Sequence, residues 1–393
     1  MSGADGGGKP LRVALMIGSM REGGAEGQVV ELMRGLRERG HIVRLYLLHP
    51  EGPRMEVLRA EGFEVFGIAL PKLRPLWNPA SKIGAVRALA RTIGDLRRFR
   101  PDVLHSWLFE ADAWAALAKL GGAPGALITS RRSIGRFKDA APWKQRVQNQ
   151  YNRLSRLVIA NAEAVAEDAR AREANLPRLG IRVIPNGIHA ERVAAARRVV
   201  LEAEIPTLAG ATHRVVCVAN LLEYKGHLDL IAAWRAVHER LPGAHLILVG
   251  RDDGMAERIR SAAAEAGLSG VVHLLGSRRD VPGILRACDL FVLPSHEEGL
   301  PNVVLEAQAC GLAAVATRAG GSPEALRDGE TGLIVPPHAP AELAAALLRL
   351  LKNDAERHRM GQAAAQFLRT QFPMTRMIDA HVAAYREILG LKG

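Results

Sequence analysis

The chain has 393 residues, of which 48% are hydrophobic and 24% charged, the balance of a globular protein with two or three domains. No apolar run approaches the roughly 20 residues that would span a bilayer. The polar, glycine-rich residues 1–10 lack the pattern of a secretory signal and predict a disordered tip. The net charge of +12 favours partners that carry phosphate, although an arginine-rich proteome would raise the charge without any function.

The three cysteines, Cys217, Cys288 and Cys310, lie among apolar neighbours and lack the spacing of metal ligands. They predict buried, reduced thiols in a cytosolic protein. A disulfide or a metal site is the alternative, and apolar surroundings favour the free thiols.

Two series of short apolar runs predict strands that alternate with helices. In the first half we predict strands at 11–17, 41–48, 64–69, 102–105, 126–129, 157–160 and 181–184, with helices such as 28–39 and 78–99 between most of them. In the second half we predict strands at 214–219, 245–249, 271–274, 290–293, 313–316 and 332–335, and helices at 227–240, 255–266, 302–310 and 340–352. Continuous apolar strands separated by amphipathic helices are typical of parallel sheets covered on both faces.

The pattern therefore predicts an α/β protein of two doubly wound domains, the first over 11–199 and the second over 200–372. Residues 379–391 predict a helix, and Pro373 predicts a break before it. We therefore expect residues 373–393 to cross back to the first domain. Ligands of doubly wound sheets bind at the carboxyl ends of the strands, so a cleft between the two domains is the expected site.

One strand of the second domain leads directly into a segment that carries chemistry. The strand 290–293 ends at Pro294-Ser-His-Glu-Glu-Gly-Leu-Pro-Asn302, and a helix is predicted to follow. Pro301 suits the first turn of that helix, whose free N–H groups and positive dipole end form a site for a diphosphate. Glu306 lies one turn further on, where it can accept hydrogen bonds from a polyol such as ribose, and Glu298 precedes the turn. A solvated helix face is the alternative for such a pair of glutamates.

The segment Glu298-Gly-Leu-Pro-Asn-Val-Val-Leu-Glu306 resembles the Glu-x7-Glu signature of the retaining GT-B glycosyltransferases of family GT4. The resemblance covers nearly the whole chain. Further matching pieces are Gly23-Gly-Ala-Glu26, Asp102-Val-Leu-His105, Ile184-Pro-Asn-Gly-Ile188, Leu248-Val-Gly250, Leu275-Gly276 with Asp280-Val281, Gly320-Gly-Ser-Pro-Glu324 and Asp328-Gly-Glu-Thr-Gly332. The resemblance implies a GT-B fold, two Rossmann-like domains facing across a cleft, and transfer of a sugar from a nucleotide-sugar, most simply a UDP-sugar, without a metal ion or cofactor.

The resemblance also implies roles for individual residues of the second domain. Lys225 matches the lysine that holds the donor phosphate, Glu306 would hold the ribose, and Glu298 would contact the donor sugar as the catalytic carboxylate. The arginine usual in the Lys225 loop is absent, since Asn220 to Leu222 stand there, so a second positive charge would come from Arg251 or Arg278. The remaining donor-binding candidates are Gly299, Leu300, Pro301, Asn302 and Ser277, with Gly23 and Gly24 from the first domain.

Polar residues at other strand ends have weaker support. His105 ends a first-domain strand and is the candidate for a polar participant in catalysis, although histidines at such positions are more often structural. Trp107 stands where several relatives carry another histidine, and Glu110 is a candidate for the acceptor side. Asp252-Asp253 superficially suggests a metal site, but a turn or helix cap is the better interpretation. The glycines after the first strand do not form Gly-x-Gly-x-x-Gly, which counts against a nicotinamide site.

A basic segment with aromatic residues runs from Arg131 to Arg156 and includes Arg132 and Trp143. Such a segment suits an anionic membrane surface or a lipid-linked phosphate, and a solvated helix face is the alternative. No nucleic-acid recognition motif accompanies the charge. We therefore expect peripheral attachment to the inner face of the cytoplasmic membrane, with a lipid-linked or cell-envelope glycan as acceptor. A nucleotide-sugar epimerase of the same fold and a non-catalytic scaffold are the competing interpretations.

Overall fold

The computed structural model of the protein describes residues 9–71 and 79–391. Most of the predicted disordered tip at 1–10 therefore lies outside the described residues, as does the first residue of the helix predicted at 78–99. Within the described ranges, no helix is both long and apolar enough to cross a bilayer.

The first sheet has seven parallel strands in the order β3-β2-β1-β4-β5-β6-β7. Continuous apolar runs form its central strands because helices cover both faces. Each of the seven predicted strands is present. They are β1 (Arg12–Ile17), β2 (Ile42–Leu47), β3 (Glu64–Gly67), β4 (Val103–Trp107), β5 (Ala126–Arg131), β6 (Leu157–Ala160) and β7 (Ile181–Val183).

The second sheet has six parallel strands in the order β10-β9-β8-β11-β12-β13. Its six predicted strands are likewise present. They are β8 (His213–Val218), β9 (Ala244–Val249), β10 (Val272–Leu274), β11 (Leu290–Leu293), β12 (Ala314–Thr317) and β13 (Gly332–Val335).

Helices connect the strands of both sheets. Through the first sheet run α1 (Gly24–Glu38), α2 (Pro53–Ala60), α3 (Pro79–Phe99), α4 (Phe109–Leu120), α5 (Pro142–Asn152) and α6 (Glu163–Arg172). The remainder are α7 (Ala190–Ala194), α8 (His227–Arg240), α9 (Ala256–Glu265), α10 (Val281–Leu285), α11 (Asn302–Ala309), α12 (Ser322–Ala325), α13 (Pro340–Leu351), α14 (Asp354–Gln371) and α15 (Met374–Ile388). The sequence predicted α8 with its observed bounds, whereas α14 was not predicted.

One compact unit comprises residues 1–187 and 374–393. Its core lies on both faces of the first sheet, and the terminal helix α15 contributes Met377, Ile378 and Tyr385 to it. The approach of α15 to α1 is close: a Cβ added at Gly35 would lie 2.1 Å from Cδ1 of Ile378. The helix begins at Met374, five residues before the predicted start at 379.

The other compact unit comprises residues 188–373 and has its core around the second sheet. Its first residue is Ile188, so the boundary lies earlier in the chain than the predicted 199/200. Residues after Ile188 form hydrogen bonds within this unit. For example, the Val199 N–H donates to the carbonyl of Gly283 at 3.1 Å. Cys217, Cys288 and Cys310 are free thiols, as predicted, and burial raises the pKa of Cys217 to about 12.

Candidate functional site

The segment from Glu298 to Glu306 lies at the carboxyl edge of the second sheet, where β11 ends and α11 begins. Gly299 and Leu300 are buried, and the Gly299 carbonyl accepts a hydrogen bond from the N–H of Gly321 at 2.9 Å. Pro301 immediately precedes the helix, one residue earlier than its predicted place in the first turn. The backbone N–H groups of the first turn of α11 lie at this edge of the sheet, and that of Val304 donates to the carbonyl of Pro301 at 3.1 Å.

Lys225 and Glu298 form an ion pair, with Nζ donating to Oε1 at 2.7 Å. They meet because β8 and β11 are neighbours in the sheet, and the loops that follow them emerge side by side. Their side chains are 17% and 10% exposed. Burial lowers the pKa of Lys225, but the combined attraction of Glu298 and its hydrogen bond outweigh it, so the pKa is raised overall. The ammonium therefore stays charged, and Glu298 uses one of its three N–H donors.

Two glycines allow the loops at this edge to approach closely. Gly226 has φ of +69°, and a Cβ there would lie 2.0 Å from the carbonyl oxygen of Pro294. A Cβ at Gly250 would lie 2.0 Å from the carbonyl oxygen of Ala219. Any side chain at either position would therefore force apart the loops after β8, β9 and β11.

The two arginines proposed to supply a second positive charge are both paired with carboxylates. Arg251 donates to both oxygens of Asp253, at 2.8 and 2.9 Å. Arg278 donates to both oxygens of Asp280, at 2.8 and 2.7 Å, and also to Glu204. Arg278 thus lies between two carboxylates, and its contact with the diphosphate stays a prediction.

Asp252 closes the turn that leads into α9, in agreement with the predicted turn or cap. Its Oδ1 accepts the N–H groups of Gly254, Met255 and Ala256 at 2.8 to 3.1 Å. These hydrogen bonds are the main cause of a lowered pKa for this carboxyl. The carboxylate thus serves the helix end rather than a metal ion.

The other donor-side candidates lie at strand or helix ends. Ser277 is exposed after β10, while Asn302 and Glu306 are half-buried on α11. In the first unit, Gly23 and Gly24 form the start of α1, with Gly23 extended at φ −159°. Their contacts with a donor stay predictions.

His105 is a core residue, which corrects its assignment as a participant in catalysis. It is 0% exposed. Its Nδ1 hydrogen-bonds to the Tyr385 hydroxyl at 2.8 Å and its Nε2 to the Ser130 hydroxyl at 2.7 Å. Burial is the largest cause of a pKa well below the usual value. A neutral imidazole with both nitrogens engaged and no exposure does not reach a substrate.

The basic segment from Arg131 to Arg156 divides into buried and exposed residues. Arg131 is buried and donates to Glu173, Asp112 and Asn152, which corrects its assignment to the membrane side. Arg132 is half-buried, with its guanidinium 4.3 Å above the buried Trp107 ring, and donates to Asn186. Because both guanidinium groups face the interior of the unit, the structure does not support the predicted membrane contact for Arg131 and Arg132.

Helix α5 retains an exposed face. Trp143 is 58% exposed. Arg146 and Val147, three and four residues further along, are also exposed and share that face. The exposed residues of the segment therefore include Trp143, Arg146 and Val147 on α5, together with Arg136, Arg153 and Arg156 outside that helix.

A cavity of about 510 Å³ lies within the first unit, at the carboxyl edge of its sheet. Its lining includes the predicted Glu110 and Trp143, together with Phe109, Lys138 and Glu173. Lys138 lies within the predicted basic segment, whereas Phe109 and Glu173 were not predicted. The sequence signal for this part of the cavity was Arg131, a basic residue at the end of an apolar strand. Arg131 lines the cavity and donates a hydrogen bond to Glu173.

Leu108 enters this cavity from the end of β4 with φ of +72°, a strained conformation for a leucine. Charged groups of both signs line the cavity. Asp112 forms an ion pair with Arg131, and burial raises the pKa of Asp112 to about 7. Mixed charges and aromatic rings around a cavity suit a polar, hydroxyl-rich ligand.

Two doubly wound parallel sheets, with a part-buried lysine–glutamate pair at the edge of the second sheet where a helix begins, are the fold and site of the GT-B class of glycosyltransferases. The chain belongs to glycosyltransferase family 4. The family model described as Glycosyltransferase Family 4 matches residues 22–192, and that described as Glycosyl transferases group 1 matches residues 212–353. The predicted resemblance, the α/β fold and the glycosyltransferase class are thereby confirmed.

Similar proteins cover nearly the whole chain. The lipopolysaccharide core biosynthesis glycosyltransferase LpsE of Rhizobium meliloti is 30% identical over 92% of this chain and 95% of its own. The D-inositol 3-phosphate glycosyltransferase of Corynebacterium diphtheriae is 28% identical over 89% and 86%. Anabaena HepE, solved in complex with UDP and glucose, has a TM-score of 0.83 at 21% identity over 96% of this chain and 100% of its own, which shows the shared fold.

Proposed function

We propose that this glycosyltransferase moves a sugar from a UDP-sugar to a lipid-linked or cell-envelope glycan, with retention of configuration and without a metal ion. The observation that carries the donor half is the part-buried Lys225–Glu298 pair near the start of α11. A lysine ammonium and the N–H groups of a helix start are groups that stabilise a departing diphosphate. The UDP and UDP-glucose complexes of HepE, a protein of the same fold, are consistent with a uridine donor.

Each donor residue has one part in this proposal. Lys225 and the first N–H groups of α11 hold the diphosphate, Glu306 accepts hydrogen bonds from the ribose hydroxyls, and Glu298 holds the sugar. Because Lys225 already donates to Glu298, the sugar and phosphate contacts are fixed relative to each other before the donor arrives. Arg251 is the more accessible candidate for a second cation. Its side chain is 46% exposed, against 19% for Arg278, and an exposed ion pair costs little to rearrange.

The proposed reaction needs no protein nucleophile. As the bond between the anomeric carbon and the phosphate oxygen breaks, charge builds on the diphosphate and the sugar becomes oxocarbenium-like. The acceptor hydroxyl then attacks from the face that the phosphate leaves, and its proton passes to the departing phosphate. The core position of His105 agrees with a route that uses no histidine as base.

The cavity of the first unit supports the acceptor half of the proposal. Its mixed lining of Glu110, Lys144, Asp168 and the Trp143 ring offers hydrogen bonds and an apolar face, the combination that binds sugars. LpsE, which carries lipopolysaccharide core biosynthesis in its name, resembles this chain over nearly its full length. A cell-envelope glycan is therefore the acceptor class we propose.

Attachment to the inner face of the cytoplasmic membrane is proposed through the exposed face of α5. Replacing Arg146 by glutamine should weaken binding to vesicles by about 5-fold, since one arginine near an anionic surface contributes about 1 kcal/mol. Flotation with phosphatidylcholine vesicles, with and without phosphatidylglycerol, measures this. Arg235→Gln, on an exposed face of α8, should leave binding unchanged. Equal flotation with neutral and anionic vesicles would remove the electrostatic proposal.

The experiment that tests the proposed transfer measures nucleotide release from UDP-, GDP- and ADP-sugars, with and without a lipid extract and in the presence of EDTA. We expect nucleotide release from a UDP-sugar, and we expect EDTA to leave this release unchanged. Glu306→Ala should lower the release by roughly 100-fold, because the variant loses hydrogen bonds to a bound hydroxyl-rich group. Glu342→Ala, an exposed glutamate in the first turn of α13, is the matched control and should keep full activity.

The competing interpretations give different products in the same assay. An epimerase of this fold would return the isomerised sugar still on its nucleotide, with no need for the lipid extract. A non-catalytic scaffold would bind nucleotide and release nothing. Chromatography of the nucleotide fraction separates all three outcomes, and release that Glu306→Ala leaves unchanged would overturn the ribose assignment.

A further inference from the structure

Three side chains from separate segments of the second unit converge on one point. They are Asp229 in the first turn of α8, His296 after β11 and His338 between β13 and α13. One potential ligand atom from each lies within 4.8 Å of the others. Among residues 9–71 and 79–391, no other group of three histidine, cysteine or acidic side chains has its potential ligand atoms this close together.

The distances within the group match those between the ligands of a bound transition metal. Oδ2 of Asp229 lies 2.8 Å from Nε2 of His296 and 3.7 Å from Nδ1 of His338. Two ligands of a tetrahedral zinc ion, each at about 2.0–2.2 Å from the metal, lie about 3.3 Å apart. The two observed distances fall on either side of that value.

His338 has an uncommon backbone conformation and its ring packs against that of His296. His338 has φ of +57°, a region that favours glycine, and its ring centroid lies only 3.6 Å from that of His296. No helix or strand requires a histidine at that place. The imidazole is 66% exposed, which leaves a route by which an ion and a water molecule can enter.

We propose that Asp229, His296 and His338 form a site for Zn²⁺. Two imidazole nitrogens and one carboxylate oxygen suit zinc rather than magnesium or calcium, which take oxygen ligands. His296 would bind through Nε2 with its proton on Nδ1, and His338 through Nδ1 with its proton on Nε2. Water fills the fourth position.

The site would hold together the loops that build the donor edge. Asp229 follows Lys225 by four residues, and His296 precedes Glu298 by two. The N–H of His296 already donates to the carbonyl of Tyr224 at 2.7 Å, so a metal ion adds a second link between the same two loops. The proposed role is structural, and it is independent of the metal-free transfer proposed above.

The test uses the full chain without a polyhistidine tag, stripped with EDTA and titrated with ZnCl₂ alone. We expect about one zinc per chain, a melting temperature that rises with zinc concentration, and no response to MgCl₂ at the same concentrations. His338→Gly should fold at least as well without metal, because glycine relieves the strain at φ +57°, and should bind zinc at least about 10-fold more weakly.

His358→Ala, an exposed histidine on α14, is the matched control and should bind zinc like the wild type. Substitution by Co²⁺ should give the intense visible absorption of a tetrahedral site in the wild type and not in His338→Gly. Absence of zinc binding by the stripped wild type, or equal zinc binding by His338→Gly, would overturn the proposal. In those cases Asp229 and His296 form a simple hydrogen-bonded pair.

Discussion

Replacing Lys225 by methionine should lower kcat/KM for UDP-sugar turnover by roughly 100- to 1,000-fold, the loss typical of one preorganised group that stabilises developing charge. Methionine keeps the length of the side chain and removes only the ammonium. Because Lys225 also neutralises Glu298, which is 10% exposed, the variant loses both the phosphate contact and the fixed position of the carboxylate. Steady-state kinetics with nucleotide release as the readout measures the effect.

Stability must be measured beside activity, because removal of one partner of a part-buried ion pair also destabilises the fold. The double variant Lys225→Met with Glu298→Gln relieves the unpaired charge. It should recover melting temperature without recovering turnover. Lys352→Met, at an exposed position after α13, is the matched control for loss of a lysine. Full turnover by Lys225→Met in a folded protein would contradict the phosphate assignment.

The fold was largely predictable because its strands are continuous apolar runs. Strands β6 and β11 and helix α8 have the predicted bounds, since each is a run of one pattern between clear breaks. Helix α14 was missed because its sequence carries a glycine in the middle and few apolar residues. Gly361 is required there by packing, since a Cβ would lie 2.0 Å from the carbonyl oxygen of Gly311. Its purpose is therefore visible only in three dimensions.

The donor edge was predictable where it depends on one continuous segment, and not where it depends on pairing between distant residues. The motif located Glu298 and Glu306, but the bond from Lys225 to Glu298 depends on the adjacency of β8 and β11. His105 shows the opposite error. A polar residue at a strand end suggests chemistry, yet its hydrogen-bond partner Tyr385 lies 280 residues away and buries it.

Arg131 illustrates the same point for the basic segment, whose sequence pattern suggested a surface. The guanidinium is instead surrounded by partners from three elements. It donates to both oxygens of Glu173 at 2.8 and 3.0 Å, to Asp112 at 3.0 Å and to Asn152 at 2.8 Å. Burial alone would raise the pKa of Glu173, but Arg131 outweighs it and holds the pKa below the usual value.

Replacing Arg131 by methionine should therefore lower the free energy of unfolding of the first unit by about 3–5 kcal/mol, because Glu173 keeps its charge with its principal partner removed. Urea unfolding followed by circular dichroism measures this. Arg153→Met, an exposed arginine of the same segment, should change stability by less than about 0.5 kcal/mol.

A variant that also removes the two carboxylates left without Arg131 distinguishes a role of Arg131 in the buried network from a role at the surface. The triple variant Arg131→Met, Asp112→Asn and Glu173→Gln should recover much of the lost stability, since neutral groups of the same shape replace the uncompensated charges. Were Arg131 a membrane contact, its replacement would instead weaken binding to anionic vesicles and leave urea unfolding unchanged. The segment from 131 to 156 thus divides by position: Arg131 at the end of β5 lines the cavity, whereas the outer face of α5 is exposed and is the part that we propose for membrane contact.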